Sequence, residues 1–343
     1  MLGGPIMSRI SQEFITEFNH KFTESVARQY QQQHQLNCHH WDFTFLLWHR
    51  KFIGQFWQQL DLPPTYAVLT QDEDRQLYRQ LRKSLVLDNA GNMMFVEDNH
   101  KLNSLTGQDL AQIELDIAEA MVCNRFAIDL DFEGSNRDRF AYNLSFSSQV
   151  EEFHDMIHGE TGRGMRSVST AGGDQCFFIH HTFVDLVFET WLDEHPDMAL
   201  PISQDHFDTS PDLQQDYQDY GELVDLWQAR HFSFDDYKHV RRITAPITRQ
   251  AIVFDRIAHT EDFRRVIMFH GQDEIGRFAI LTGRIETCLT CARRQAHSGQ
   301  FLLRRLVPVS EIMWNINNQW FTWDSAIDKF DEIGMSVPYV VSF

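Results

Sequence analysis

Basic charge is scarce in this chain: 30 Lys and Arg stand against 49 Asp and Glu, for a formal net charge of -19. No basic block rises above that background to hold a phosphate backbone or an anionic lipid surface, so neither nucleic acid nor a membrane is expected as a partner. Long apolar runs are missing too. No stretch of 18 apolar residues occurs, and the opening MLGGPIMSRISQEF has no basic segment leading into an apolar one, so the chain reads as soluble and unsecreted. Five cysteines (Cys38, Cys123, Cys176, Cys288 and Cys291) are an odd number spread over a long chain, unlike a secreted disulfide framework. A reducing, cytoplasmic setting follows. Internal repeats and low-complexity tracts are absent.

What is present is length, apolar periodicity and histidine. With 343 residues, 43% of them hydrophobic, the chain can bury a sizeable core and a second, smaller unit. Apolar positions at Ile10, Phe14, Ile15, Phe18, Phe22 and Val26 predict a helix over 8–31, with His20 near an edge of its stripe. A second helix runs from Trp48 to Leu60, carries His49 and stops at paired prolines. Further helices are predicted over 108–123, 147–159 and 177–193. Between the last two, Gly162, Gly164, Gly172 and Gly173 mark a loop of about 15 residues, long enough to suspect a function. After residue 240 the texture changes to short apolar or alternating runs at 250–257, 264–270, 277–283, 299–309 and 338–343, which read as strands of a small β-sandwich. The expected division is a helical unit over 1–225 and a β-rich unit over 240–343.

The 17 histidines give the first hint of a metal site. His154 and His158 in HDMIH are four apart on a predicted helix, so both rings leave one face within reach of a single ion. A zinc hydrolase would need Glu after the first of them, and Asp155 stands there instead. His49 shares a face with Ile53, Phe56 and Leu60, and His181 shares one with Asp185, Phe188 and Leu192. Each imidazole therefore points toward a core. One such ring is better explained by a hydrogen-bonded buried histidine than by a ligand; several in one core each need a partner.

Three blocks together carry a resemblance. Residues 40–50 read His40-WDFT-Phe45-Leu46-Leu47-Trp48-His49-Arg50, residues 174–185 read Asp174-QC-Phe177-Phe178-Ile179-His180-His181-TFV-Asp185, and HDMIHGETGRGM lies between them. In order, spacing and residue type they resemble the type-3 copper proteins, the superfamily of tyrosinases, catechol oxidases and hemocyanins, over roughly residues 10–220. The resemblance implies a mainly α protein, an antiparallel four-helix-bundle dicopper core followed by a smaller C-terminal β-sandwich-like domain. His40 and His49 become ligands of a first copper with His20 as the third, His34 being the alternative. His154, His158 and His181 become ligands of the second, while His180 is adjacent structure. Gln175 departs from the family's usual Pro, and Trp57 stands where Glu is common.

The resemblance also implies a chemistry: two copper ions, O2 as co-substrate, and oxidation of a small phenol, catechol or o-aminophenol to an o-quinone-type product, with a dicopper O2 carrier as the alternative. Imidazole suits copper, and three ligands per ion leave room for dioxygen. Val168 falls near the family's gate over the metals, and Asp155 where a water-ordering residue stands; the Glu that orders a water in bacterial members would fall near Ser145. Cys38, two residues before His40, matches a thioether position of the family or is an ordinary buried thiol. Asp185 and Arg50 resemble an inter-helix ion pair. Cys288 and Cys291 form a CxxC that suits a transient Cu(I) site, a disulfide or half a zinc site, so a copper chaperone is a further expected partner.

Overall fold

The computed structural model describes residues 7–40, 44–97, 105–126, 145–162, 164–244, 250–258, 264–281 and 296–342. Cys288 and Cys291 lie outside them. The helical part opens with α1 (Gln12–Lys21) and α2 (Glu24–Asn37), where the periodicity predicts one helix. The break falls at Phe22, whose backbone is extended, and Thr23, whose hydroxyl accepts from Val26 N–H and starts a new helix. The restart re-phases the buried face. In α2 it is Ala27, Tyr30, Gln31 and His34, at a spacing of three and four, that turn inward.

There follow α3 (Phe45–Leu60), α4 (Asp72–Tyr78), α5 (Gly107–Met121), α6 (Phe146–Thr161), the single turn α7 (Val168–Ala171) and α8 (Gln175–Glu194). Four shorter helices, the last of them Phe234–Arg241, complete this part. Every residue of α8 from Gln175 to Leu192 is buried, so this helix is the axis on which α3 and α6 pack. Two departures from the family pattern are explained here. Gln175 opens α8, and its amide oxygen accepts from Lys83 N–H while its own N–H donates to the Lys83 carbonyl, a bond proline could not make. Trp57 donates from its indole to Thr182 Oγ1 and packs on Phe14, Phe18 and Phe178, which ties α3 to α1 and α8. No described helix is long and apolar enough to cross a membrane.

The β-rich part has two antiparallel sheets. Strands Gln319–Phe321, Ile312–Ile316, Arg264–His270 and Asp273–Ile280 form one in that order; Tyr339–Ser342, Gln250–Ala258 and Ala296–Leu302 form the other. Their shared core, with Phe254, Met268, Phe278, Trp314 and Phe330, is separate from the helical core. The strand expected at 299–309 ends at Leu302, and that expected at 277–283 begins at Asp273. This unit sits against α5 and α6: Arg277 pairs with Asp109, and Arg265 lies 3.2 Å from Glu160.

Candidate metal centre

Six imidazoles converge between α2, α3, α6 and α8. His34 lies in the last turn of α2, His40 just beyond its end, His49 in α3, His154 and His158 in α6, and His181 in α8; none is more than 7% exposed. They fall into two trios. Ring centroids within the first are 5.3 Å (His40 and His49), 5.8 Å (His34 and His49) and 6.0 Å (His34 and His40) apart. Within the second they are 4.4 Å (His154 and His158), 4.9 Å (His154 and His181) and 5.2 Å (His158 and His181). The trios meet where His49 and His181 stack at 4.6 Å.

The hydrogen bonds decide which nitrogen of each ring is offered. Nδ1 of His34 faces the Val168 carbonyl at 3.1 Å, and Nδ1 of His49, His158 and His181 face the carbonyls of Phe45, Met165 and Phe177, each at 2.8 Å. A carbonyl only accepts, so the proton of each neutral ring sits on Nδ1 and its Nε2 carries a lone pair. Nε2 of His49 and of His158 has no hydrogen-bond partner. Nε2 of His154 and Nε2 of His181 stand 3.0 Å apart. The Nε2 lone pairs of His49, His158 and His181, gathered in a dry core, favour a cation among them. Two nitrogens at that spacing suit two ligands of one ion at ~2.0 Å each. Burial first, and then the neighbouring imidazoles, hold His49, His154, His158 and His181 well below the usual imidazole range, so the rings are neutral and able to ligate. The donor set fits a dinuclear metal centre.

The structure brings His40, His49, His154, His158 and His181 together and leaves His20 out. His20 is exposed in the last turn of α1, whereas His34 fills the third place of the first trio, because the helix break at Thr23 carries it onto the buried face of α2. Cys38 is fully buried, and its sulfur lies within 4.8 Å of ring nitrogens of His34 and His40. Val168 enters through its carbonyl on His34. Asp155 is 1% exposed, and its Oδ1 lies 2.9 Å from His154 Nδ1, where it orients that ring. Ser145 caps α6. Glu151, which no motif singles out, reaches from α6 across to the first trio, its Oε1 3.3 Å from His40 Nδ1 and its side chain fully buried.

Glycine makes room for one of these rings. A Cβ on Gly172 would lie 2.6 Å from His34 Cβ and 2.8 Å from the Tyr30 carbonyl. Gly172→Ala must therefore push α2 from α7 and shift His34 off the Val168 carbonyl. It should weaken the first metal by about tenfold or more while sparing the second, read by stepwise metal titration.

Behind the site, Arg50 of α3 pairs with Asp185 of α8 at 2.5 Å and with Glu189 at 3.6 Å, and His231 Nδ1 lies 3.0 Å from Glu189. Burial alone would lower His231; Asp185 and Glu189 override it and raise its pKa to about 9. The unfolded imidazole titrates near ~6.5, so this contribution to stability is complete below that value and lost as pH rises through about 9. Denaturant midpoints should fall between pH 7 and about 9, and His231→Gln should flatten that slope.

Fold and donor set together define a helical protein built around six histidines in two trios that could each hold a metal ion. A family model described as the common central domain of tyrosinase matches residues 96–194, which include His154, His158 and His181. A tyrosinase of Oryzias latipes is 34% identical over 86 residues, 20% of this chain and 16% of that protein, and one of Podospora anserina is 36% identical over 76 residues, 19% and 13%. These alignments thus span about a sixth or less of the relatives' own length. Among solved structures, a tyrosinase from Burkholderia thailandensis superposes with a TM-score of 0.58 over 98% of this chain and 100% of that one, at 12% identity. A functional unit of octopus hemocyanin gives 0.53 over 98% and 99%, at 14% identity. Residues 96–194 thus match the central domain of tyrosinase, and the fold is one shared by that tyrosinase and that hemocyanin unit.

Proposed function

We propose that this chain is a copper oxidase that uses O2 to convert phenols, catechols or o-aminophenols to o-quinone-type products. The observation that carries the reading is the buried cluster of six imidazoles whose Nδ1 atoms are anchored and whose Nε2 atoms face inward. His34, His40 and His49 would hold one copper, and His154, His158 and His181 the other. The bound pair supplies the oxidising chemistry. The chain's own residues orient the rings: carbonyls of Phe45, Met165, Val168 and Phe177 fix four of them, Asp155 the fifth and Glu151 the sixth. Arg50, Asp185 and Glu189 hold α3 and α8 at a set distance. The tyrosinase names of the sequence relatives support an oxidase; the hemocyanin unit of like fold supports a second reading, an O2 carrier without turnover.

The β-rich unit reaches the same helix that carries His154, through Arg265 on Glu160. We place it as a shield over the centre. Oxygen uptake by the copper-loaded chain, with a monophenol, a catechol and an o-aminophenol in turn, separates the readings. An oxidase consumes O2 continuously with at least one of them; a carrier takes up one O2 per copper pair and stops, and that outcome would overturn the enzymatic reading.

A further inference from the structure

The chain has two histidine pairs, His39-His40 and His180-His181, and their outer members differ in a way that packing does not explain. His39 is buried with both nitrogens engaged: Nδ1 lies 2.7 Å from Thr44 Oγ1 and Nε2 lies 2.7 Å from Asp216 Oδ2. That ring is a brace. His180 is 2% exposed, and neither of its ring nitrogens makes a hydrogen bond; a polar contact with the His154 backbone falls short of one. A buried imidazole with both nitrogens unmet is a standing cost that a leucine or phenylalanine at the same place would avoid.

Its position says what would meet them. The His180 ring centroid is 5.2 Å from each of the rings of His154, His158 and His181, and it stacks on His154 at 21°. His154, His158 and His180 each place a ligand atom within 4.8 Å of the others. Consecutive residues on a helix diverge by about 100°, yet α8 is buried all round, so both rings of the pair find the α6 histidines.

We propose that His180 is a fourth imidazole donor at the second metal position, sharing His154 and His158 with His181 and taking its place when that ring is displaced. The second position is then the more forgiving of the two. It holds an ion with either member of the pair, whereas the first has one ring per place. The inference rests on reading the six histidines as a metal centre.

Copper(I) titration against a competing chelator, with circular dichroism to check folding, tests it on the parent chain, His181→Ala, His180→Leu and the double variant. The parent should bind two ions. His181→Ala should still bind two, the second weakened about tenfold, His180→Leu should weaken the second ion by a similar factor, and the double variant should bind one. If His181→Ala binds one ion, as the double variant does, or if His180→Leu keeps the parental affinity, His180 is packing and the inference fails. Should His181→Ala not fold, His180→Leu alone decides. A parent chain that binds fewer than two ions overturns the centre itself, an outcome distinct from either of these.

Discussion

Replacing His49 by alanine is expected to leave a folded chain that binds one copper ion where the parent binds two, with catechol oxidation falling by more than about a hundredfold. The margin follows from comparison. Losing a residue that merely orients a ligand costs ~10–100-fold, and His49 would be a ligand itself. Its Nε2 is unpartnered, its ring stacks on His181, and among the described residues no further histidine joins its trio. Two effects on the metal-free fold oppose each other. Truncating a large core side chain costs ~2–5 kcal/mol. Removing a buried nitrogen that nothing satisfies returns ~1–3 kcal/mol. The metal-free melting point should therefore drop only modestly, while the rise on adding copper shrinks. Thermal melts with and without metal, paired with metal analysis, read both quantities. Two ions retained at full affinity would remove His49 from the centre.

The second large effect concerns Glu151. Its carboxylate crosses from the helix of the second trio to Nδ1 of His40 in the first, so one side chain on α6 sets the pose of a ring that belongs to the other metal. Glu151→Ala should weaken the first ion by ~10–100-fold and leave the second nearly unchanged. Glu151→Gln keeps an acceptor oxygen and should recover much of that loss. Stepwise copper titration of the two variants distinguishes a positioning role from simple packing, since glutamine and glutamate fill the same volume. Equal losses in the two would exclude the orienting bond.

The different legibility of these residues in the sequence has physical causes. His154, His158, His49 and His181 stand out because a spacing of four, or a shared face with Ile53, Phe56, Phe188 and Leu192, is written in residue identity. His34 does not. It sits in QYQQQHQ, and its inward face of Ala27, Tyr30 and Gln31 becomes visible only once the helix is known to restart at Thr23. A stripe running through Phe18, Phe22 and Val26 hides that restart, because Phe22 is buried whether helical or extended. Four of the six ring anchors are backbone carbonyls, which carry no residue signature, and Glu151 is one carboxylate among 49 acidic residues. The C-terminal strands were readable where side chains alternate, yet Asp273–Ile280 begins on the polar pair Asp273 and Glu274. There the pairing with Arg264–His270 decides the strand, and its first residues show no apolar pattern.

Electron paramagnetic resonance of the fully copper-loaded, oxidised chain reads whether the two trios hold adjacent metal ions. Rings of the two trios stack at 4.6 Å, so two Cu(II) ions held by them are close enough for their spins to couple. Two coppers per chain by metal analysis and almost no Cu(II) signal are expected. Two coppers giving the full signal of independent ions, or a single copper per chain, would contradict that arrangement.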